Sequence, residues 1–419
     1  MPENINCRIC NHALTKFLSL GRMPVANAFL KKEDLEKEEF FYSLEVGFCE
    51  KCKMVQLIEF VPYDKYIVPD ENKKTHYLFF ASTSKYMERH FAEFAKEIEE
   101  RFLSKNSKVL EIGSNDGIML KAFKKNKVLG VEPSSNVAEV ARKLGVETII
   151  EFFTKDLANK IITEKGKFKA ILSANVTLNI HDLHEVLEAS KILLEEDGVF
   201  VTEDPYIIDI LSKNAYDQIY DEHVYYFSLT SLQNLFEMHG MEIFDAKRQP
   251  THGGSMRVYA CKKGRYEKTY AVKELFDLEK EKRLDKIATY EKFAREVEES
   301  KIKLIKLLKK LKEENKKIVG YAAASKGTIV LNYCNIGKGI LDYISDSTPE
   351  KQGLFNPGKH IPIVSPEKFK DDNADYALLG AWNHAEEIMN KETEFLKRGG
   401  KFIVHLPTPK ILENGRDLI

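Results

Sequence analysis

From Lys108 the chain reads KVLEIGSNDGIMLKAF and then KVLGVEPSSNVAEVARKLG, and no other stretch restricts the fold as strongly. Val109, Leu110 and Ile112 make a short apolar strand, Gly113 to Gly117 a tight turn, and the residues after it have helical periodicity. The second segment repeats the pattern of strand, acidic residue and helix, which makes a βαβ unit. The glycines let a ligand approach the backbone, and Glu132 at the end of the second strand is placed to hold both hydroxyls of a ribose. VETIIEFF supplies a third strand, FKAILSAN (Phe168 to Asn175) a fourth and DGVFVTEDPY (Asp197 to Tyr206) a fifth. Phe152 and Phe153 are placed to flank an adenine, or to pack as plain core phenylalanines. G-x-G-x-x-G itself is absent, so the turn alone leaves the ligand open.

The chain has 419 residues, enough for two or three domains, and its 43% apolar content supports a full core. Its net charge of -1 gives no broad attraction to nucleic acid or anionic membrane. MPENINCRIC has neither a basic nor an apolar region of the kind a secretory signal needs. No apolar run approaches the roughly 20 residues that cross a bilayer. These features predict a cytoplasmic protein with no membrane or nucleic-acid partner. No coiled-coil pattern is evident, and a monomer is expected.

Six cysteines in a chain this long do not make a disulfide framework. Cys7 and Cys10 form one C-x-x-C pair, Cys49 and Cys52 another. Each pair offers two thiolates at one corner of a tetrahedron, and together they complete an S4 site suited to Zn2+. With four protein ligands the metal has no open position, so it is expected to be structural. The intervening loop lacks the basic-aromatic pattern of a nucleic-acid-binding finger.

A second α/β sheet is legible toward the C-terminus. A charged, helix-patterned stretch from Tyr266 to Lys317 leads into KIVGYAAASKG, a strand, a small-residue turn and a helix. ILDYISD, ending in Asp346, ADYALLGAWNH and GKFIVHLP are further strands. The turn is able to admit a phosphate. Lys326, Lys351 and the Trp382-Asn383 pair are candidates for diphosphate, base and sugar contacts, although plain surface lysines would also fit. THGGSMRV is another candidate loop, in which His252 and Arg257 could reach a ligand unless the arginine packs along a strand edge.

E-I-G-S-N-D-G resembles motif I of class I methyltransferases that use S-adenosylmethionine. That resemblance puts Glu111, Gly113, Ser114, Asn115, Asp116, Gly117, Glu132, Pro133, Phe153 and Asn175 around this cofactor and places it well ahead of NAD. The paired C-x-x-C, EIGSNDG, IYDEHVYYFSL, THGGSMRVYA, GYAAASKGTIVLNY, ISDSTPEKQGLFNPGKHIPI and GAWNHAEEI follow one another in an order similar to the sugar C-methyltransferases of deoxysugar pathways, such as those that make mycarose or tetronitrose. The resemblance runs from about Cys7 to about Pro407. It implies a zinc-binding domain (1–72), a class I Rossmann-like methyltransferase domain (73–265), and a helical connection with a C-terminal Rossmann-like domain (266–419). In the family a nucleotide-diphosphate sugar sits between the last two, where His252, Lys326, Asp346, Lys351, Trp382 and Asn383 are the expected contacts.

A nucleotide 4-keto-sugar carries an acidified proton next to its ketone. A base removes it, an enolate forms, and the carbanion takes the methyl group. Histidine suits the base and a tyrosine hydroxyl suits the enolate oxygen. The family's Y-x-E-H motif falls on Tyr220, Glu222 and His223, which implies His223 as base, Glu222 as its partner and Tyr220 as polariser or substrate anchor. Asp221, at the variable position, is expected to be solvated, and His181 and His184 to lie on the surface. Tyr77 matches another active-site tyrosine of the family, with Phe79 as the competing equivalent. One departure stands out: the family's N-V-x-x-H-I reads NVTLNI here, with Asn179 in place of the histidine. Transfer to oxygen or nitrogen of a nucleotide-sugar is therefore an alternative. An inactive zinc-containing binding protein and an NAD-dependent dehydrogenase are others.

Overall fold

The apolar pattern that starts at Lys108 closes into a seven-stranded sheet in the computed structural model, which describes residues 5–65, 77 and 80–412. Lys108–Ile112 lies in its middle, with Lys127–Val131 and Thr148–Ile149 on one side. Phe168–Ala174, Leu194–Pro205, Ser255–Lys262 and Met241–Gln249 follow on the other. The first five strands run parallel and the last two pair antiparallel. The chain reverses direction across the sheet at Lys108–Ile112, the topological switch point where open α/β sheets bind ligands beyond their strand ends. The third strand is shorter than VETIIEFF suggests, only Thr148–Ile149. The helix expected after the glycine turn is one 3-10 turn, Leu120–Ala122, because the turn itself consumes much of the short crossing to Lys127.

Helix Lys85–Phe102 covers this sheet. Ser84 caps it by accepting from the Met87 N–H, and Met87, Phe91, Phe94 and Ile98 bury one stripe at helical spacing. Ser228 and Ser231 form a capping box that opens helix Leu229–Met238 just after the Tyr220–His223 motif.

The C-terminal six-stranded sheet runs Ile363–Val364, Ile344–Ser345, Ile318–Tyr321, Tyr376–Leu379, Lys401–Val404, Lys410–Leu412, parallel except for the last strand. Its own switch point lies beside Ile318–Tyr321. The charged stretch ahead of it is two helices, Tyr270–Glu281 and Ile287–Glu313, broken where Arg283 takes a φ of 55°.

The N-terminal sheet pairs Thr15–Pro24, Phe41–Phe48 and Val55–Leu57 antiparallel, and its fourth strand is Tyr225–Tyr226. The residues following His223 thus complete the sheet of the cysteine-bearing unit. That unit also touches the C-terminal one, through a Leu30–Phe355 bridge and through Glu39, which accepts from the Gly358 N–H at 2.9 Å. No helix among the described residues is long and apolar enough to cross a membrane.

Candidate active site

The sulfur atoms of Cys7, Cys10, Cys49 and Cys52 all lie within 4.8 Å of one another. A tetrahedron of Zn–S bonds near 2.3 Å has edges of about 3.8 Å. Cys7–Cys52 at 3.5 Å and Cys10–Cys49 at 3.4 Å fall a little short of that spacing, and no pair exceeds 4.8 Å. Each C-x-x-C closes the same way. Asn11 and Lys53, which follow the second cysteine of each pair, take φ values of 55° and 63° and return their N–H groups to the carbonyls of Cys7 and Cys49. The donor set fits a structural zinc ion and leaves it no open position.

A cavity of about 1130 Å³ opens at the C-terminal ends of the central strands and reaches the C-terminal domain. That exceeds the roughly 300–1,000 Å³ of an ordinary ligand pocket, so there is room for two ligands side by side.

At one end stand Glu111, Gly113, Ser114, Asn115, Glu132, Pro133, Phe153 and Asn175. Glu132 ends its strand with each carboxylate oxygen accepting a backbone N–H, from Ser134 at 2.8 Å and Asn115 at 3.0 Å. Burial pushes the carboxyls of Glu132 and Glu111 up, the latter also through Glu132 and Asp116 nearby. Glu111 Oε2, Ser114 Oγ and Asn175 Oδ1 are buried with no hydrogen-bond partner among the described residues. Orphaned acceptors beside a glycine turn and an acid at the end of the second strand fit S-adenosylmethionine, whose ammonium and hydroxyls need such acceptors. Two expected members do not face the cavity. Asp116 accepts from the Ser82 N–H at 2.9 Å and holds the turn, while a side chain on Gly117 would meet Ala141. Phe152 lines the cavity as well as Phe153, beside Tyr63 of the zinc unit at 5.1 Å.

In the middle of the cavity lie Tyr77, Tyr220, Glu222 and His223. His223 Nδ1 faces the Gln218 carbonyl at 2.8 Å and Nε2 faces the Tyr220 hydroxyl at 2.7 Å. A carbonyl only accepts, so Nδ1 carries the proton and Nε2 receives Tyr220's hydroxyl. Burial holds the imidazole down at about 3, reinforced by the charge of Lys326 and by His252, so it is neutral. Glu222 is not its partner. The Glu222 carboxylate turns the other way and accepts from Asn27 Nδ2 at 2.6 Å and from the Tyr77 hydroxyl at 3.2 Å. Nor is Asp221 solvated: it is fully buried, accepting from the Ala26 N–H at 2.9 Å. Phe79 lies outside the described residues.

At the far end, Lys326 Nζ is buried without a hydrogen-bond partner among the described residues, and Lys351 Nζ donates to the Ala323 carbonyl at 2.8 Å. Burial lowers both ammonium groups. His252 lines the same region with a φ of 55° and an Nε2 that has no hydrogen-bond partner among the described residues. Asp346, Trp382 and Asn383 are not among the lining residues. Asp346 accepts from the N–H groups of Ala323 and Thr348, and the Trp382 indole donates to Asp217 at 2.7 Å, so both serve the scaffold. Arg257 is likewise buried away from the cavity, paired with Glu203 and Glu97. His181, expected on the surface, lines the cavity and stacks on Tyr63 at 4.0 Å. His184 is half-buried between the Ile9 carbonyl and His239. Asn179 lines the cavity, its Oδ1 without a hydrogen-bond partner among the described residues. Asn27, Tyr63 and Gln218 carry no motif in the sequence. They reach the cavity only through the packing of the zinc unit and the 3-10 turn Tyr216–Gln218.

The sheet order, the glycine turn and the acid beyond the second strand define a class I S-adenosylmethionine-dependent methyltransferase. Residues 84–246 match the methyltransferase domain model, 7–66 a zinc binding domain model, and 250–407 the C-methyltransferase C-terminal domain model. The chain is 35% identical over 411 residues to C-methyltransferase NovU of Streptomyces niveus, covering 97% of this chain and 96% of that protein. It belongs to this family of S-adenosylmethionine-dependent C-methyltransferases. Among solved structures, a Thermotoga maritima methyltransferase aligns at 19% identity over 42% of this chain and 92% of that one, TM-score 0.34. The methyltransferase bound to the Trm112 activator of Haloferax volcanii aligns at 15% identity over 43% and 94%, TM-score 0.35.

Proposed function

We propose that the enzyme methylates a ring carbon of a nucleotide-linked 4-keto deoxysugar, through an enolate generated by His223. The observation that carries this reading is the continuity of the cavity. One wall holds the cofactor turn, the middle holds a neutral histidine bonded to a tyrosine, and the far wall holds Lys326 and Lys351. A ketone, its neighbouring C–H and a diphosphate are what these groups would address in turn.

Bound S-adenosylmethionine supplies an electrophilic methyl on a sulfonium. The chain supplies the rest. Gln218's carbonyl fixes the Nδ1–H tautomer, so the lone pair on Nε2 is the basic one. Tyr220's single hydroxyl proton occupies that lone pair. When the hydroxyl turns to the ketone oxygen, Nε2 is freed to take the proton from the adjacent carbon, and the tyrosine donates to the enolate oxygen. The electron pair left on carbon would take the methyl as its bond to sulfur breaks and sulfur keeps that pair, while the proton remains on His223. At about 3 the imidazole is a weak base. A diphosphate beside Lys326 and Lys351 would cancel the positive field and raise its basicity, so the remote anion contributes to turnover as well as to binding. On this reading the protein works as a cytoplasmic monomer.

The test is incubation with S-adenosylmethionine and a panel of nucleotide 4-keto-sugars in deuterated water, following mass and deuterium uptake. A gain of one methyl, with exchange next to the ketone that disappears in His223→Asn, is expected. Neither methyl gain nor exchange on any keto-sugar would sink the reading.

A further inference from the structure

We infer that Asn27, a residue of the zinc-binding unit, is a positioning residue that sets Glu222 and joins the two walls of the substrate cavity. The inference rests on the proposed function for its kinetic readout, but its geometry is independent of which sugar is methylated.

Strand Thr15–Pro24 leads directly into the buried pair Val25–Ala26. The Ala26 N–H is fixed on Asp221 Oδ1, which brings the next residue against the Tyr220–His223 motif. Asn27 lines the cavity there. Its Nδ2 donates to Glu222 Oε1 at 2.6 Å, and its Oδ1 accepts from the Ser325 hydroxyl at 2.8 Å. With Glu222 ionised this amide orientation follows, since a carboxylate only accepts and the amide oxygen cannot donate. Ser325 opens helix Ser325–Tyr333 of the C-terminal sheet, and the next residue is Lys326. One amide thus spans the central domain's carboxylate and the end of the helix that carries the buried cation.

The Glu222 carboxylate needs this donor. Burial opposes its charge, and the groups that favour the charged form are Asn27, Tyr77 and, at longer range, Lys351. Without Asn27 the carboxylate keeps, among the described residues, the Tyr77 hydroxyl at 3.2 Å as its one remaining hydrogen bond. With Asn27→Asp, two carboxylates would face each other where the amide now donates. Such a pair is stable only while it shares a proton. Below the pair's raised pKa one carboxyl donates as the amide does. Above it, both are charged and repel.

The test compares wild type, Asn27→Ala and Asn27→Asp in the full chain with zinc bound. It uses the keto-sugar panel for kcat and KM, and carbon-13 carboxyl resonances for Glu222, assigned by their loss in Glu222→Gln. Both variants are expected to lose at least about tenfold in kcat at pH 8, with KM for the cofactor changed by less than about threefold. The Asn27→Asp deficit is expected to shrink as the pH falls toward about 6, while the Asn27→Ala deficit, which has no second carboxyl to donate, does not shrink. Glu222 should titrate at higher pH in both. A merely structural role predicts equal losses at every pH and an unmoved Glu222 titration, and wild-type kcat in Asn27→Ala would also overturn the inference. If the wild type methylates no keto-sugar, the proposed reaction fails, and the Glu222 titration alone decides the role of Asn27.

Discussion

Lys326 keeps an ammonium inside the cavity with no hydrogen-bond partner among the described residues, and the His223 ring is held down in part by that charge. Burial is the larger cause, and Lys326 adds to it, so removing the charge can move the ring in one direction only. In Lys326→Gln the imidazole should titrate at higher pH, by up to about one unit. A nucleoside diphosphate should produce the same upward move in the wild type by neutralising Lys326, and little or none in the variant. Nitrogen-15 spectra of the ring, assigned through His223→Asn, read both. A diphosphate that leaves the titration unmoved would mean that it does not lie near Lys326. The motif Tyr220–Glu222–His223 was legible because aromatics and titratable groups crowd into a few residues. Its internal wiring was not. Tyr220 and His223, three residues apart on one turn, meet, whereas Glu222 between them points to the opposite side. Its partners come from Asn27 and Tyr77, which no spacing rule connects to it. Asp346 and Trp382 erred in the other direction: strand-end polar residues resemble ligands in sequence but satisfy backbone and carboxylate groups of neighbouring loops.

Among the elements, the turn after strand Lys108–Ile112 carries the tightest constraint. Gly113 has a φ of 67°, and a side chain there would come within 2.5 Å of Val176 Cγ2. Val176 belongs to the loop after strand Phe168–Ala174, so this glycine sets how closely the two parallel strands deliver their loops to the cavity. Gly113→Ala should therefore cost on two counts. The left-handed backbone contributes about 1–2 kcal/mol, and overpacking against a β-branched side chain contributes about 1–3 kcal/mol more. Gly113→Ala with Val176→Ala removes only the second, apart from the cavity the lost valine itself leaves. Urea unfolding should show the double variant recovering part of the loss attributed to Gly113→Ala, and calorimetry should show weakened cofactor binding in both. A single variant as stable as the wild type would show that the turn has room to relax. The parallel parts of the two larger sheets could be read from the sequence because apolar strands and small-residue turns alternate with helices. The N-terminal sheet could not, since its fourth strand, Tyr225–Tyr226, is two residues long and lies far along the chain from its partner Val55–Leu57. Such pairing is decided by tertiary packing rather than by local pattern.

At the scale of the whole molecule, the zinc unit is tied to both neighbouring domains around the middle of the cavity. Val55–Leu57 pairs with the strand just beyond His223, Ala26 and Asn27 hold Asp221 and Glu222, and Leu30 bridges to Phe355 in the C-terminal domain. The cofactor end is built differently, mostly from the turn and strand ends of the central sheet, with Tyr63 as a contribution from the zinc unit. Metal binding to such a site contributes directly to folding of the unit that carries it. Stripping the metal leaves four thiols within 4.8 Å of one another and removes what holds the two C-x-x-C turns together. The expected consequence is selective. Chelation should release one zinc per chain, read by a colorimetric metal indicator, and reduce methyl transfer by at least about tenfold as Asn27 and the Tyr225–Tyr226 strand lose their anchor. S-adenosylmethionine affinity, followed by calorimetry on the same sample, should keep most of its strength, because Glu111, Ser114 and Glu132 stay on the central sheet. If affinity and turnover collapse together, the metal supports the fold as a whole. If turnover survives metal loss, the N-terminal sheet holds its place through its strand pairing alone, and the zinc ion is a local staple with no bearing on the cavity.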